Sequence, residues 1–343
     1  MSGTSLDGID LAECFFSISE DHFWSFEIGV AETIPYPKKW KSRLQQAIHF
    51  SEEKLKTLNE EYTQFLGETI ALFIETHAIN NLDAVCSHGH TILHRPEDGV
   101  TLQIGNLPEI AKYSGQSVVC DFRVQDVALG GQGAPLVPVG DRLLFNDYDY
   151  CLNLGGFANV SFEKREKRIA YDICPVNIVL NYYAEKLGHT FDDEGKLAAS
   201  GSLDQKLMDQ LSALSYYSEA PPKSLGLEWV QKEILPLLEA ANISDNNILH
   251  TFTEHAARQI AAQFQSGSSI LITGGGAHNT FLLERIKKQK KLNLMVPEDK
   301  LLEFKEALIF GLLGVLRLRN EVNCLSSVTG ARQDHCSGKV YKL

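Results

Sequence analysis

Apolar positions recur along the chain in two periods, and their alternation predicts a mixed α/β protein. Between residues 9 and 34, Ile9 and Leu11, then Trp24, Phe26, Ile28 and Val30, each keep one phase of a two-residue repeat, which predicts two strands. From 55 to 73, the residues Leu55, Leu58, Tyr62, Leu66, Ile70 and Phe73 follow one face of a helix. Ala84-Val85-Cys86 and Val118-Val119-Cys120 read as short buried strands. Gly130-Gly131-Gln132-Gly133-Ala134-Pro135 is punctuated too densely for the interior of either element and predicts a loop.

The second half repeats this style. Cys151-Leu152-Asn153-Leu154 runs as a strand into Gly155-Gly156, and Val160-Ser161-Phe162 pairs with Arg168-Ile169-Ala170 across the charged turn 163–167. Helices are predicted over about 178–187, stopped by Gly188, and over 253–265, 279–288 and 304–319; residues 269–273 form a strand ahead of Gly274-Gly275-Gly276. Strands alternating with helices imply an α/β architecture. A Gly/Ser/Thr turn opens each half, which suggests two lobes with a boundary near 125–150.

Composition narrows the class. A chain of 343 residues carries two domains on length alone. With 44% hydrophobic and 22% charged residues it is neither disordered nor fibrous. Its net charge of −12 argues against a nucleic-acid partner, because neutralising phosphates needs clustered Lys and Arg. The longest apolar run, 308–316, is too short to span a bilayer, so no membrane partner is expected. The first residues show no secretory signal, and the seven cysteines are scattered without a CxxC pair; both point to a reduced, cytoplasmic setting.

Three glycine-rich segments carry the candidate chemistry: Ser2-Gly3-Thr4-Ser5-Leu6-Asp7-Gly8, Asn153-Leu154-Gly155-Gly156-Phe157-Ala158-Asn159, and Thr273-Gly274-Gly275-Gly276-Ala277-His278-Asn279. Glycines let backbone N–H groups approach a polyphosphate, and adjacent hydroxyls donate to its oxygens. Neither a P-loop nor a Rossmann fingerprint is present in its proper setting. Three such loops over two lobes fit a nucleotide held in a cleft between domains. Among the acids, Asp7 and Asp10 lie in and after the first loop. Asp172 follows a strand, where a carboxylate facing a phosphate loop serves as general base; capping the helix near Ile178 is the other reading. His88, His90 and His94 invite a zinc reading, but no Cys partner or HExxH accompanies them, and contacts to a small polar substrate suit them better. Arg123 can clamp a carboxylate, or pair internally with Asp121 or Asp126.

Met1-Ser2-Gly3-Thr4-Ser5-Leu6-Asp7-Gly8-Ile9-Asp10 resembles the first phosphate loop of the anhydro-N-acetylmuramic acid kinases. Ser87-His88-Gly89-His90-Thr91, Thr101-Leu102-Gln103-Ile104-Gly105, Asp121-Phe122-Arg123 and Gly130-Gly131-Gln132-Gly133-Ala134-Pro135-Leu136-Val137-Pro138 follow in that family's order. So do the Asn153–Asn159 loop, Pro222-Lys223-Ser224, Gly274-Gly275-Gly276 and Val328-Thr329-Gly330-Ala331, and the likeness covers essentially the whole chain.

The resemblance implies a two-lobed actin-like ATPase (sugar kinase) fold with ATP in the cleft between lobes, here set at 1–130 and 131–343, the last helix packing back toward the cleft. It implies an enzyme that opens the 1,6-anhydro ring of anhydro-N-acetylmuramic acid with water and phosphorylates O6 from ATP and Mg²⁺, in peptidoglycan recycling. By motif, Asp172 is the catalytic base. Gly3, Thr4, Ser5, Leu6, Asp7, Gly8 and Asp10 cradle the ATP phosphates, with Asp7 near Mg²⁺. Asn153, Gly155, Gly156 and Asn159 form the second phosphate loop, and Gly274, Gly275, Gly276 and Asn279 border the adenosine. His88, Thr91, Arg123 and Glu306 face the sugar, Arg123 suiting the lactyl carboxylate. A homodimer is also implied. The family's usual glycines are replaced by Cys174 and Val176, an aromatic–His pair by Gly140-Asp141, a Gln by His90, and a Thr and an Arg by Leu225 and Leu227. These departures leave two alternatives open: a kinase for another anhydrosugar such as levoglucosan, or a catalytically impaired ATP-binding scaffold. Because the chain begins inside its first phosphate loop, a further strand of about 5–6 residues is expected upstream.

Overall fold

The computed structural model describes every residue except Thr4 and Ser5. The chain packs as two compact units, one of Met1–Leu144 with Phe304–Leu343 and the other of Phe145–Glu303.

In the first unit β1 (Gly8–Ile18) and β2 (Trp24–Pro35) form an antiparallel hairpin with Ile9 opposite Ile34 and Asp10 opposite Thr33, as the two-residue repeat predicts. The helix Glu52–Thr76 buries all six residues of the predicted stripe. Ser51 caps it by accepting the Lys54 N–H, and Glu52 and Glu53 complement the dipole of its first turn. β3 (Val85–Cys86), β4 (His90–Arg95), β5 (Val100–Ile104) and β6 (Val118–Cys120) follow. β4 and β5 make a second hairpin, and β3 runs parallel to β6. The helix Val137–Leu144 closes this part of the chain.

The second unit is one five-stranded sheet packed with helices. Its strands are β7 (Tyr150–Leu154), β8 (Phe157–Lys164), β9 (Lys167–Pro175), β10 (Ser269–Thr273) and β11 (Asn293–Met295), in the order β11-β10-β7-β8-β9. β10 lies parallel to β7 and β11, while β7, β8 and β9 form an antiparallel meander. Leu152, Leu154 and Ile272 are fully buried and pack in one core with Phe252, Ala256 and Ile260 of the helix Asp245–Ala262. Each of the Leu, Ile and Phe side chains among them contributes about 1.5–3 kcal/mol of transfer free energy.

The chain then returns to the first unit through the helix Asp299–Leu318, whose later part belongs there, and β12 (Lys339–Tyr341), which pairs with β6. Residues 131–144 and 304–343 therefore belong to the first unit. The reason is local. A Cβ on Gly140 would lie 2.7 Å from Ile309, so only glycine lets the two helices meet this closely. Beside it, Asp141 and Lys305 form a buried ion pair at 2.8 Å. Among the described residues no helix is long and apolar enough to cross a membrane.

Candidate active site

The first unit holds all four residues expected to face the sugar, with His88 in contact with Arg123. Its Nε–H donates to His88 Nε2 at 2.9 Å, and Nη1 donates to the Gly133 carbonyl at 2.6 Å. His88 Nδ1 lies 3.0 Å from the Gly89 carbonyl, which can only accept, so Nδ1 carries the proton and Nε2 is free to accept from Arg123. Burial and then the Arg123 guanidinium hold His88 well below its ordinary pKa, which keeps the ring neutral. Burial also draws Arg123 down to about 10, so it remains a cation at neutral pH. Arg123 pairs with neither Asp121, which holds Lys339 at 2.7 Å, nor Asp126, which takes the Gly133 N–H at 2.7 Å. The loop is ordered by Asp126, whose carboxylate a Cβ on Gly131 would meet at 2.2 Å.

Glu306 lies in the same electrostatic neighbourhood. The residue is exposed overall, and desolvation pushes its carboxyl pKa up while Arg123 pulls it back. Thr91 accepts a long 3.4 Å bond from Gln103, whose Oε1 is buried without a hydrogen-bond partner.

The three histidines hydrogen-bond separately, His88 to the Gly89 carbonyl. His90 Nδ1 bonds Ser2 Oγ at 2.8 Å, and His94 Nδ1 bonds Thr101 Oγ1 at 3.1 Å. Ser2 also reaches the Tyr36 hydroxyl at 2.6 Å, so the start of the first glycine loop is anchored in a buried polar network. Gly8 packs against the Ile34 carbonyl, where a Cβ would stand at 2.6 Å. Leu6 adopts φ 59° and donates to the Gly3 carbonyl at 3.3 Å. Asp7 is exposed, while Asp10 accepts from Thr33 Oγ1 at 2.7 Å. Thr4 and Ser5 lie outside the described residues.

In the second unit the register brings four polar residues into one row: Thr273 beside Asn153, Asn153 opposite Asn159, and Asn159 opposite Asp172. Directly opposed residues share a face of the sheet. The two glycine loops meet at the end of this row. A Cβ on Gly274, at φ 83°, would lie 2.6 Å from Asn153 Oδ1 and 2.9 Å from the Leu154 backbone; one on Gly276 would lie 2.8 Å from Leu154. The helix Asn177–Lys186 starts at the same place, with Asn177 and Ile178 N–H groups donating to the Gly155 and Gly156 carbonyls. Asn279 caps the helix Thr280–Gln289 by accepting the Leu282 N–H at 2.9 Å, a structural duty for that side chain.

Asp172 is not a helix cap; that position is Val176. Its Oδ2 accepts the Leu225 N–H at 2.9 Å, its N–H donates to the Lys223 carbonyl, and its carbonyl accepts the Tyr216 hydroxyl at 2.6 Å. Lys223 in turn reaches the Tyr216 carbonyl at 2.9 Å. Burial raises the Asp172 carboxyl above its ordinary value, and the Leu225 N–H draws it back. Sequence reasoning did not assign Tyr216 or Leu225 to this site, although Pro222-Lys223-Ser224 was the available signal. Cys174 and Val176 are fully buried in the core of the unit, and Val176 has φ −133°, outside the left-handed region that would demand glycine.

The first unit thus holds a fixed cation, and the second holds a carboxylate of raised pKa in register with two glycine loops. Over residues 1–343 the chain matches the family model described as Anhydro-N-acetylmuramic acid kinase. It is 31% identical to a protein of that name from Sulfurimonas denitrificans, covering 100% of this chain and 98% of the relative. It is 32% identical to one from Coxiella burnetii, over 99% of this chain and 96% of the relative. Among solved structures, the activator of the 2-hydroxyisocaproyl-CoA dehydratase from Clostridium difficile with bound ADPNP aligns with 50% of this chain and 62% of its own, at 14% identity and a TM-score of 0.33. That partial likeness bears no weight here.

Proposed function

The chain belongs to the anhydro-N-acetylmuramic acid kinase family, and we propose that it opens the 1,6-anhydro ring of anhydro-N-acetylmuramic acid while phosphorylating O6 from ATP. The products are N-acetylmuramic acid 6-phosphate and ADP, and the reaction serves peptidoglycan recycling. The observation that carries the residue roles is the row ending at Asp172: a carboxylate of raised pKa in register with the glycine loops.

Asp172 takes a proton from water as that water attacks the anomeric carbon. The bond from that carbon to O6 breaks, and O6, now the nucleophile, attacks the γ-phosphoryl group as ADP leaves. Such a base contributes about 10²–10⁴-fold. Gly3 to Asp10, with Asn153, Gly155, Gly156 and Asn159, bind the phosphates; Gly274 to Gly276 border the adenosine, with Asn279 shaping that loop as a cap. Arg123 takes the lactyl carboxylate, and His88, Thr91 and Glu306 face the sugar. The exposed carboxylate of Asp7 has the hard oxygen donors that Mg²⁺ prefers and can hold it through water. Mg²⁺ supplies charge screening of the phosphates when bound. The enzyme acts in the cytoplasm as a homodimer on this reading, as the family resemblance implies.

The test is ³¹P NMR with ATP, Mg²⁺ and anhydro-N-acetylmuramic acid. A sugar 6-phosphate resonance growing with ADP is expected; its absence at high enzyme concentration refutes the proposal.

A further inference from the structure

Apart from the residues used above as ligands or base, the first unit buries a carboxylate, a thiol and an imidazole against one another. We propose that Asp126, Cys324 and His335 bind a divalent transition cation of the Zn²⁺ class, which fastens the C-terminal segment to the loop that holds Arg123.

Asp126 is fully buried, Cys324 is 1% exposed and His335 is 6% exposed. Cys324 Sγ lies 3.0 Å and His335 Nε2 3.6 Å from the same oxygen, Asp126 Oδ1. The three candidate ligand atoms all fall within 4.8 Å of one another. A tetrahedral ion with bonds of about 2.0–2.3 Å sets its ligand atoms about 3.3–3.8 Å apart, so closure asks for movements of about one ångström. Two of the ligands are already paired by backbone: Cys324 and His335 exchange N–H···O bonds of 3.1 Å across an isolated bridge.

The unpartnered, buried Nε2 of His335 is the observation that calls for a cation. Its Nδ1 lies 3.1 Å from the Gln333 carbonyl, which can only accept, so Nδ1 carries a proton. Nε2 faces the same carboxylate at 3.6 Å, yet it is buried without a hydrogen-bond partner. A proton or a metal ion on Nε2 would complete the contact with Asp126 Oδ1, which already accepts from Cys324 and Thr329. Imidazole, thiolate and carboxylate together form a zinc donor set. On binding, the Cys324 thiol proton leaves to solvent and a sulfur–metal bond replaces the S–H bond. The Thr329 hydroxyl, 2.7 Å from Oδ1, and the Gly133 N–H, 2.7 Å from Oδ2, keep the carboxylate aimed. Gly133 also receives Arg123 through its carbonyl, so the cation and the sugar-side arginine share one peptide neighbour.

The test is a Co²⁺ titration of the chelator-treated full-length protein, read by thiolate-to-cobalt charge-transfer absorption. One equivalent giving that band, displaced by Zn²⁺, is expected, together with a higher thermal midpoint when Zn²⁺ is added. The band should persist in Cys336→Ser and vanish in Cys324→Ser. His335→Gln, which keeps the thiol, should weaken Co²⁺ binding by about 10–100-fold. No thiolate band in the parent protein, or an unchanged band in Cys324→Ser, overturns the proposal and leaves a proton on Nε2 as the cation.

Discussion

Arg123 donates its Nε–H to Nε2 of His88 at 2.9 Å, a contact that exists only while the imidazole is neutral. With the Gly133 carbonyl on Nη1, the guanidinium is fixed by two acceptors that leave its charge unspent. Replacing Arg123 by Ala is expected to raise KM for anhydro-N-acetylmuramic acid by about 10–100-fold, the range for a hydrogen bond to a charged group. The loss should shrink for an anhydrosugar without the lactyl carboxylate, such as levoglucosan. Equal losses on both substrates would remove the carboxylate-binding role.

Asp172→Asn preserves shape and the Leu225 contact but removes the base. Turnover should fall by about 10²-fold or more while ATP affinity stays near the parent value. The acid limb of the parent kcat/KM profile is expected above the ordinary Asp value of about 3.9, because burial raises this carboxyl. Initial-rate measurements across pH, with nucleotide titration calorimetry, check both points.

The buried histidines set a stability limit on the acid side. Unfolded chains protonate histidine below about pH 6.5, while burial holds His90 neutral down to about 4 and His255 to about 3. The unfolded state therefore binds more protons in this window. Stability is complete above the unfolded value and is lost as pH falls toward the folded ones, on the order of 3 kcal/mol for His90 alone. Urea unfolding at pH 7.0, 5.5 and 4.5 measures it, and a flat profile contradicts the burial.

Gly274 and Gly276 have no space for a side chain beside Leu154. Gly276→Val is expected to weaken ATP binding at least about tenfold and to destabilise the second unit by about 1–3 kcal/mol through overpacking. Nucleotide affinity and thermal midpoint read the two effects separately.

Lys305 and Asp141 form an ion pair with both side chains about 6% exposed. Lys305→Met is expected to cost about 3–5 kcal/mol by leaving a buried carboxylate without its cation, and Lys305→Met with Asp141→Leu should recover most of that. Denaturant midpoints of the single and double variants decide it.

Local pattern made much of this fold legible. The stripe from Leu55 to Phe73 is a helical face because its period is 3.6, and the two runs flanking the charged turn do pair, Val160 to Phe162 meeting Ile169 to Tyr171, one residue beyond the expected Arg168 to Ala170. The hairpin of β4 and β5 was missed: His90 and Gln103 are buried polar residues, which interrupt the apolar alternation that marks a strand. The candidate site was legible as separate loops. Its assembly was not, since nothing in one dimension says that Asn153, Asn159 and Asp172 stand side by side, or that Lys223 and Leu225 close on the base. The cap role of Asn279 was hidden for the opposite reason: it sits beside a glycine run that drew attention to phosphate. The Asp126–Cys324–His335 cluster joins residues far apart in sequence, beyond any spacing rule.

The row from Asn153 through Asn159 to Asp172 has a geometric corollary. Neighbouring strands are held about 4.8 Å apart by their hydrogen bonds, so two steps fix roughly 10 Å between the loop strand and the base. Neither end can drift without breaking the ladder. The second unit thus carries a rigid gauge, and on the proposed roles the γ-phosphoryl group, the anhydro bridge and the attacking water must line up within that one span.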